Sequence, residues 1–176
     1  MLSRLPEMVQ IMALSAMLSV ALYQDARRRK IPNTVVLAGA LTGIGLSLTP
    51  TGMGAMSSIS GGMVGLLGFG LLYVFRLLGA GDVKLISAIG FFVGFPTILK
   101  VSLCIFLMGG VLAFAWGVWT SQLMPSLLNL RSLGSGWARN SPTASHHAPE
   151  EMAQVPYAIA IAAGTWLQLA SPWSPI

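Results

Sequence analysis

Charge is what this chain has least of. Only 9% of its 176 residues are Asp, Glu, Lys or Arg, against about 25% in an ordinary soluble domain. With 55% hydrophobic residues and a mean hydropathy of +0.76, the chain is not built for water. Acid is scarcest: there are five acidic residues, and the only aspartates are Asp25 and Asp82. One cysteine, Cys104, excludes an internal disulfide and a Cys-rich zinc site. The histidines are the adjacent pair His146-His147, without helical or finger-type ligand spacing, so no metal site is expected even with Glu150 and Glu151 nearby. The net charge of +5 could suggest nucleic acid. The basic residues instead lie in short breaks between apolar runs, which is a membrane-orientation pattern, and no nucleic-acid partner is expected.

What the chain has in quantity is apolar runs. They cover roughly residues 8–23, 31–48, 53–78, 83–99, 101–124 and 155–169. A helix needs about 20 apolar residues to cross a bilayer core, with tolerance for tilt and thinning. The expected fold is therefore all-α: a polytopic integral membrane bundle of about six transmembrane helices, in one domain spanning 1–176. The second run is entered through Pro32 at a tolerated first-turn position. The fourth is the weakest, because Phe95-Pro96-Thr97 interrupts it, which leaves five crossings and a re-entrant segment as the alternative.

Arg27, Arg28, Arg29 and Lys30 follow the first run, while Arg4 precedes it. The positive-inside rule puts that basic break in the cytoplasm and the amino terminus outside. Six crossings then place Arg76, Lys84, Arg131 and Arg139 inside as well, leaving Arg4 and Lys100 outside. The same basic cluster opposes translocation as a secretory signal peptide, so the first run is expected to remain.

Both aspartates sit where an apolar run meets a polar break. Asp25 opens Asp25-Ala26-Arg27-Arg28-Arg29-Lys30-Ile31-Pro32-Asn33, and Asp82 closes Gly79-Ala80-Gly81-Asp82 before Val83-Lys84. Two crossings separate them, so both return to one membrane face. Within hydrogen-bonding reach, repulsion and partial desolvation would stop both from ionising near neutrality. One shared proton would then leave one carboxylate as general base towards water and the other as general acid. Gly79 and Gly81 would let the backbone turn sharply. Asp82 could cap the next helix, and Lys84 is close enough in sequence to lower its pKa. The structural alternative is that Asp82 is only a cap and Asp25 only a partner for arginines.

Asp25 with Ile31-Pro32-Asn33, and Gly79-Ala80-Gly81-Asp82-Val83-Lys84 after a membrane run, resemble the two signature blocks of the type IV prepilin peptidases, membrane aspartic proteases of the GxGD kind. Pro156-Tyr157-Ala158 resembles a Pro-Tyr or Pro-Phe element of that family, with Ala158 where Gly is frequent. The resemblance implies that Asp25 and Asp82 are the catalytic pair and that no metal or organic cofactor is needed. It implies that the substrates are prepilin-like proteins, cut beside their hydrophobic helix at the cytoplasmic face of the inner membrane. The chain has no amino-terminal insertion with paired cysteines, so methyltransferase activity is not expected. Its size is similar to that of the protease-only members serving tight-adherence (Flp-type) pili, with archaeal preflagellin peptidases also similar.

Two other functions stay open at this level. One is an intramembrane protease of the presenilin or signal-peptide-peptidase sort. Those usually carry Tyr-Asp at the first site, whereas this chain has Tyr23-Gln24-Asp25. The other is a catalytically idle component of a pilus or secretion platform. The polar stretch 129–154 reads as a cytoplasmic loop meeting substrate or a pilus-assembly partner, with Glu150 and Glu151 attracting a basic leader. Gly39-x3-Gly43, Gly61-x3-Gly65 and Gly90-x3-Gly94 read as small faces for close helix packing within the chain.

Overall fold

The computed structural model of the chain describes residues 5–28, 31–50, 52–75, 77–119 and 157–170. These form six helices and no strand: α1 (Leu5–Arg28), α2 (Asn33–Ser47), α3 (Ala55–Val74), α4 (Ala80–Val93), α5 (Thr97–Trp119) and α6 (Tyr157–Ala170). Contacts divide the chain into two compact units, Met1–Met108 with Pro156–Ile176, and Gly109–Val155. The described part of the second unit is the end of α5.

The first unit is built around α4. Nine of its residues are buried, among them Val83, Ile86, Ile89 and Phe92, and Ile86 has no exposure at all. A helix apolar on every side belongs inside a bundle. α3 packs most extensively against it, followed by α2. Glycine makes the α3–α4 approach possible. A Cβ on Gly61 would lie 2.5 Å from the Gly90 carbonyl oxygen, and one on Gly65 would lie 3.1 Å from that of Ile86. Buried serines tie the same pair together: Ser58 Oγ donates to the Phe91 carbonyl at 2.6 Å and Ser87 Oγ to that of Gly62 at 2.9 Å. On α2, a Gly43 Cβ would meet the Phe91 backbone at 3.0 Å. The three small-residue faces are thus used within the chain, as expected.

The outside is apolar while several polar side chains are buried, the reverse of a protein folded in water. Leu37, Leu41, Leu67, Leu71 and Leu103 are exposed, and Met56 is 83% exposed. Gln10, Ser58, Ser87, Thr165 and Gln168 are buried. Gln10 donates to the Phe92 carbonyl, and Cys104 Sγ approaches Gln168 Oε1 at 3.4 Å.

Among the described residues, three helices are long and apolar enough to cross a membrane, over Met8–Arg28, Ala55–Val74 and Thr97–Ala115. α2, α4 and α6 have 15, 14 and 14 residues. At 1.5 Å per residue they reach about 21–23 Å, short of a core of about 30 Å. The apolar runs are longer than the helices because they continue into turns. The fourth run ends as a helix at Val93, because Gly94 takes φ 66° and its N–H bonds the Gly90 carbonyl at 2.8 Å. Phe95 then exchanges bonds with Ser57, N–H to carbonyl at 3.0 Å and carbonyl from Ser57 Oγ at 2.9 Å. Pro32 stands one position earlier than expected. It is the N-cap of α2 with ψ 137°, and its carbonyl accepts from Val35 and Val36.

Candidate active site

Asp25 is helical. α1 does not stop at the polar break but runs through it to Arg28, so Asp25 lies in its last turns, half-buried. It continues the inward stripe of Leu14, Leu18 and Ala21, at helical spacings of four, three and four. Arg27 and Arg28 close the helix on its exposed side, where positive charge suits the carbonyl end of the dipole. The Arg27 guanidinium lies 5.0 Å from the centre of the Tyr23 ring.

Asp82 enters from the opposite kind of helix end. Gly79 is the N-cap of α4 and Asp82 is three residues on, in the first turn. Its carboxylate accepts the Gly79 backbone N–H, the arrangement by which an acidic residue at the third position satisfies a free donor at the cap. Val83 N–H closes the first helical bond onto the Gly79 carbonyl at 3.3 Å. Asp82 is therefore a cap, as one structural reading has it.

The two carboxylates, so far apart in sequence, lie within electrostatic reach of each other. Asp82 stands in the polar break ahead of the apolar run, half-buried, and its pKa is pushed up to about 6. Burial is the largest cause, the negative charge of Asp25 adds to it, and the Gly79 N–H bond opposes both. Asp82 thus keeps its proton above the ordinary carboxylate range.

The flanking motif residues join the two blocks. Lys84 Nζ donates to Asn33 Oδ1 at 3.0 Å, linking α4 to the first residue of α2. Ile31, half-buried against the core, faces Gly81, where an added Cβ would meet the Ile31 side chain at 3.5 Å. Pro32 sets the entry of α2 between them. Two expectations are corrected here. Lys84 is not among the causes that set the pKa of Asp82, because its ammonium is exposed and turned to Asn33. Nor do Gly79 and Gly81 supply a conformation closed to other residues. Gly79 has φ −77° and ψ 148°, open to any residue, and Gly81 lies within a helix. The space at Gly79 is nonetheless tight, since a Cβ there would sit 3.1 Å from Asp82 Oδ2.

A sequence model of the type IV leader peptidase family matches residues 12–118, a stretch that holds both aspartates and both flanking blocks. The chain belongs to that family. The comparisons with curated proteins and with solved structures each found no match. Membership makes the chain a peptidase-type protein of a membrane-embedded family, which agrees with its apolar exterior.

One residue beside the pair was not singled out as a site residue from sequence. Tyr157, the first residue of α6, is half-buried against the core and lies within electrostatic reach of Asp82. The signal available was the Pro156-Tyr157-Ala158 element, which marks the position without indicating what it faces. Glu150, Glu151, His146 and His147 lie outside the described residues, as does the whole 129–154 stretch.

Proposed function

We propose that the chain is a membrane aspartic endopeptidase that removes the short basic leader of prepilin-like proteins at the cytoplasmic membrane face. The observation that carries this reading is the electrostatic pairing of Asp25 with Asp82, with Asp82 retaining its proton up to about pH 6. In the proposed reaction the Asp25 carboxylate takes a proton from water as the water oxygen attacks the scissile carbonyl carbon. Asp82 gives its proton to the carbonyl oxygen. Collapse of the tetrahedral intermediate breaks the C–N bond: the proton held by Asp25 goes to the leaving amine, and one hydroxyl of the intermediate returns its proton to Asp82 as the carbonyl re-forms. Protonation of the pair makes this chemistry available without a metal or organic cofactor.

In this proposal α2, α4 and α6 complete about six crossings, with local thinning or tilt accommodating their length. The basic residues after α1 set the cytoplasmic side. Glu150 and Glu151 attract the basic leader, and pilus-assembly proteins are further partners. No methylation of the product is expected. Substrates cut at the edge of their hydrophobic helix, rather than within it, separate this reading from the presenilin-like one.

The test is co-expression with a prepilin from the same genome, reading substrate mass. Wild type should remove the leader, while Asp25→Asn and Asp82→Asn should insert normally and leave it in place. Processing by either variant at the wild-type rate removes that residue from the catalytic role.

A further inference from the structure

Between α1 and α2 lies an open groove of about 290 Å³, with the buried Phe92 and Met17 at its base. Ala13, Ala16 and Val20 form its α1 wall, and its α2 wall runs from Val35 to Thr42. The lining is apolar. The Thr42 hydroxyl is bonded to the Ala38 carbonyl at 2.7 Å and so offers the groove no free donor. Each wall spans seven residues of helix, a length of about 10 Å. The volume over that length corresponds to a cross-section of about 30 Å². A helix about 10–12 Å across would need about three times as much. An extended hydrocarbon chain, one methylene wide, fits.

The end of the groove nearer the polar break is basic. Ala13, Ala16, Val20, Tyr23 and Arg27 recur at spacings of three, four, three and four, so they share one stripe of α1. Asp25 lies on the inward stripe, not on this one. Long helical side chains lean towards the helix amino terminus, and the Arg27 guanidinium does so, 5.0 Å from the centre of the Tyr23 ring. That draws its charge one turn closer to the groove. Arg28 is exposed beside it. Tyr and Arg are residues of the headgroup level, which sets the groove just inside the hydrocarbon. A basic cluster at that level attracts anionic lipid, and guanidinium pairs well with phosphate. We propose that the α1–α2 groove is a binding site for one anionic phospholipid, with an acyl chain between the helices and the phosphate on Arg27 and Arg28. The proposal needs the chain to be embedded in a membrane but does not depend on its being a peptidase.

The experiment titrates the full chain in neutral detergent micelles with dioleoyl phosphatidylglycerol or dioleoyl phosphatidylcholine, counting retained lipid by native mass spectrometry. Wild type should retain one phosphatidylglycerol about thirtyfold more tightly than phosphatidylcholine, the effect of two basic side chains at a membrane surface. Arg27→Gln with Arg28→Gln should erase that preference and leave phosphatidylcholine unchanged, while Arg29 and Lys30 keep the break basic. Ala16→Leu with Ala38→Leu should weaken both lipids at least about tenfold by filling the groove. Both alanines are exposed, so leucine there displaces no core residue, and thermal unfolding without lipid checks this. The arginine exchange decides the matter even if the leucine pair unfolds early. Equal retention of the two lipids by wild type overturns the proposal, as does undiminished phosphatidylglycerol retention by either variant in its folded state. Full retention by the leucine pair with a raised KM for a prepilin would give the groove to the substrate's apolar helix instead. Binding is read without substrate, so its failure is distinct from failure of the peptidase reading, which would show as prepilin processing by Asp82→Asn.

Discussion

Removing the charge at Asp25 is the sharpest test of how Asp82 is held. Asp82 is raised from 3.8 to about 6, a bias towards its protonated form of about 3 kcal/mol at 1.36 kcal/mol per unit. Burial contributes most, Asp25 next, and the opposing Gly79 bond least. In Asp25→Asn the repulsion vanishes, so the midpoint must fall below 6. Burial still outweighs the Gly79 bond, so it must stay above 3.8. A carboxyl titration of the full chain in detergent micelles, with 13C-labelled aspartate, reads this directly, since one aspartate signal remains in the variant. A midpoint unmoved at about 6 would mean that Asp25 does not act on Asp82. A midpoint at or below 3.8 would mean that burial does not dominate. The sign carries over to stability. A raised carboxyl pKa favours the folded state fully below pH 3.8, and this contribution is lost as pH rises through about 6. Asp82→Asn should therefore remove the fall in unfolding midpoint between about pH 4 and 6, and unfold at a higher temperature than wild type at pH 7.

The remaining predictions concern packing and the flanking residues. Gly61→Ala should destabilise by about 1–3 kcal/mol because its Cβ has no room beside Gly90 and Gly94, whereas Gly68→Ala, with open space around it, should not. Thermal unfolding in detergent compares the two. Gly81→Ala should change stability by less than about 0.5 kcal/mol, since its Cβ makes ordinary contact with Ile31. Lys84→Met and Asn33→Ala should share one loss, with a coupling of about 0.5–1 kcal/mol in a double-mutant cycle, because one exposed hydrogen bond joins them. Exchanging Glu150 and Glu151 together for Gln should raise KM for a prepilin with a basic leader, and unchanged kinetics would remove that part of the proposal.

The helical class and the two aspartates were legible because they depend on local facts. Apolar runs, scarce charge and an Asp at two of the polar breaks need no knowledge of packing. The glycine faces were legible for the same reason, since small residues four apart on a helix create a surface that admits a neighbour. Helix ends were less so. Hydropathy does not register that Gly94 turns into the left-handed region or that α1 keeps its helical bonds through Asp25 to Arg28. Lys84 shows the weakness of sequence proximity. Two residues from Asp82, on the same helix, its long side chain reaches Asn33 instead.

The sequence by itself determined that the chain is helical and built for lipid, that it belongs with the leader peptidases, and that Asp25 and Asp82 are its only aspartates. Tertiary structure alone decided the environment of those groups. Burial and the field of a distant carboxylate, rather than neighbours in sequence, raise Asp82. Long-range contacts bring Asn33 to Lys84 and Ile31 to Gly81. The physical reason is that proton affinity depends on water and charge within a few ångströms, and those surroundings come from several helices at once.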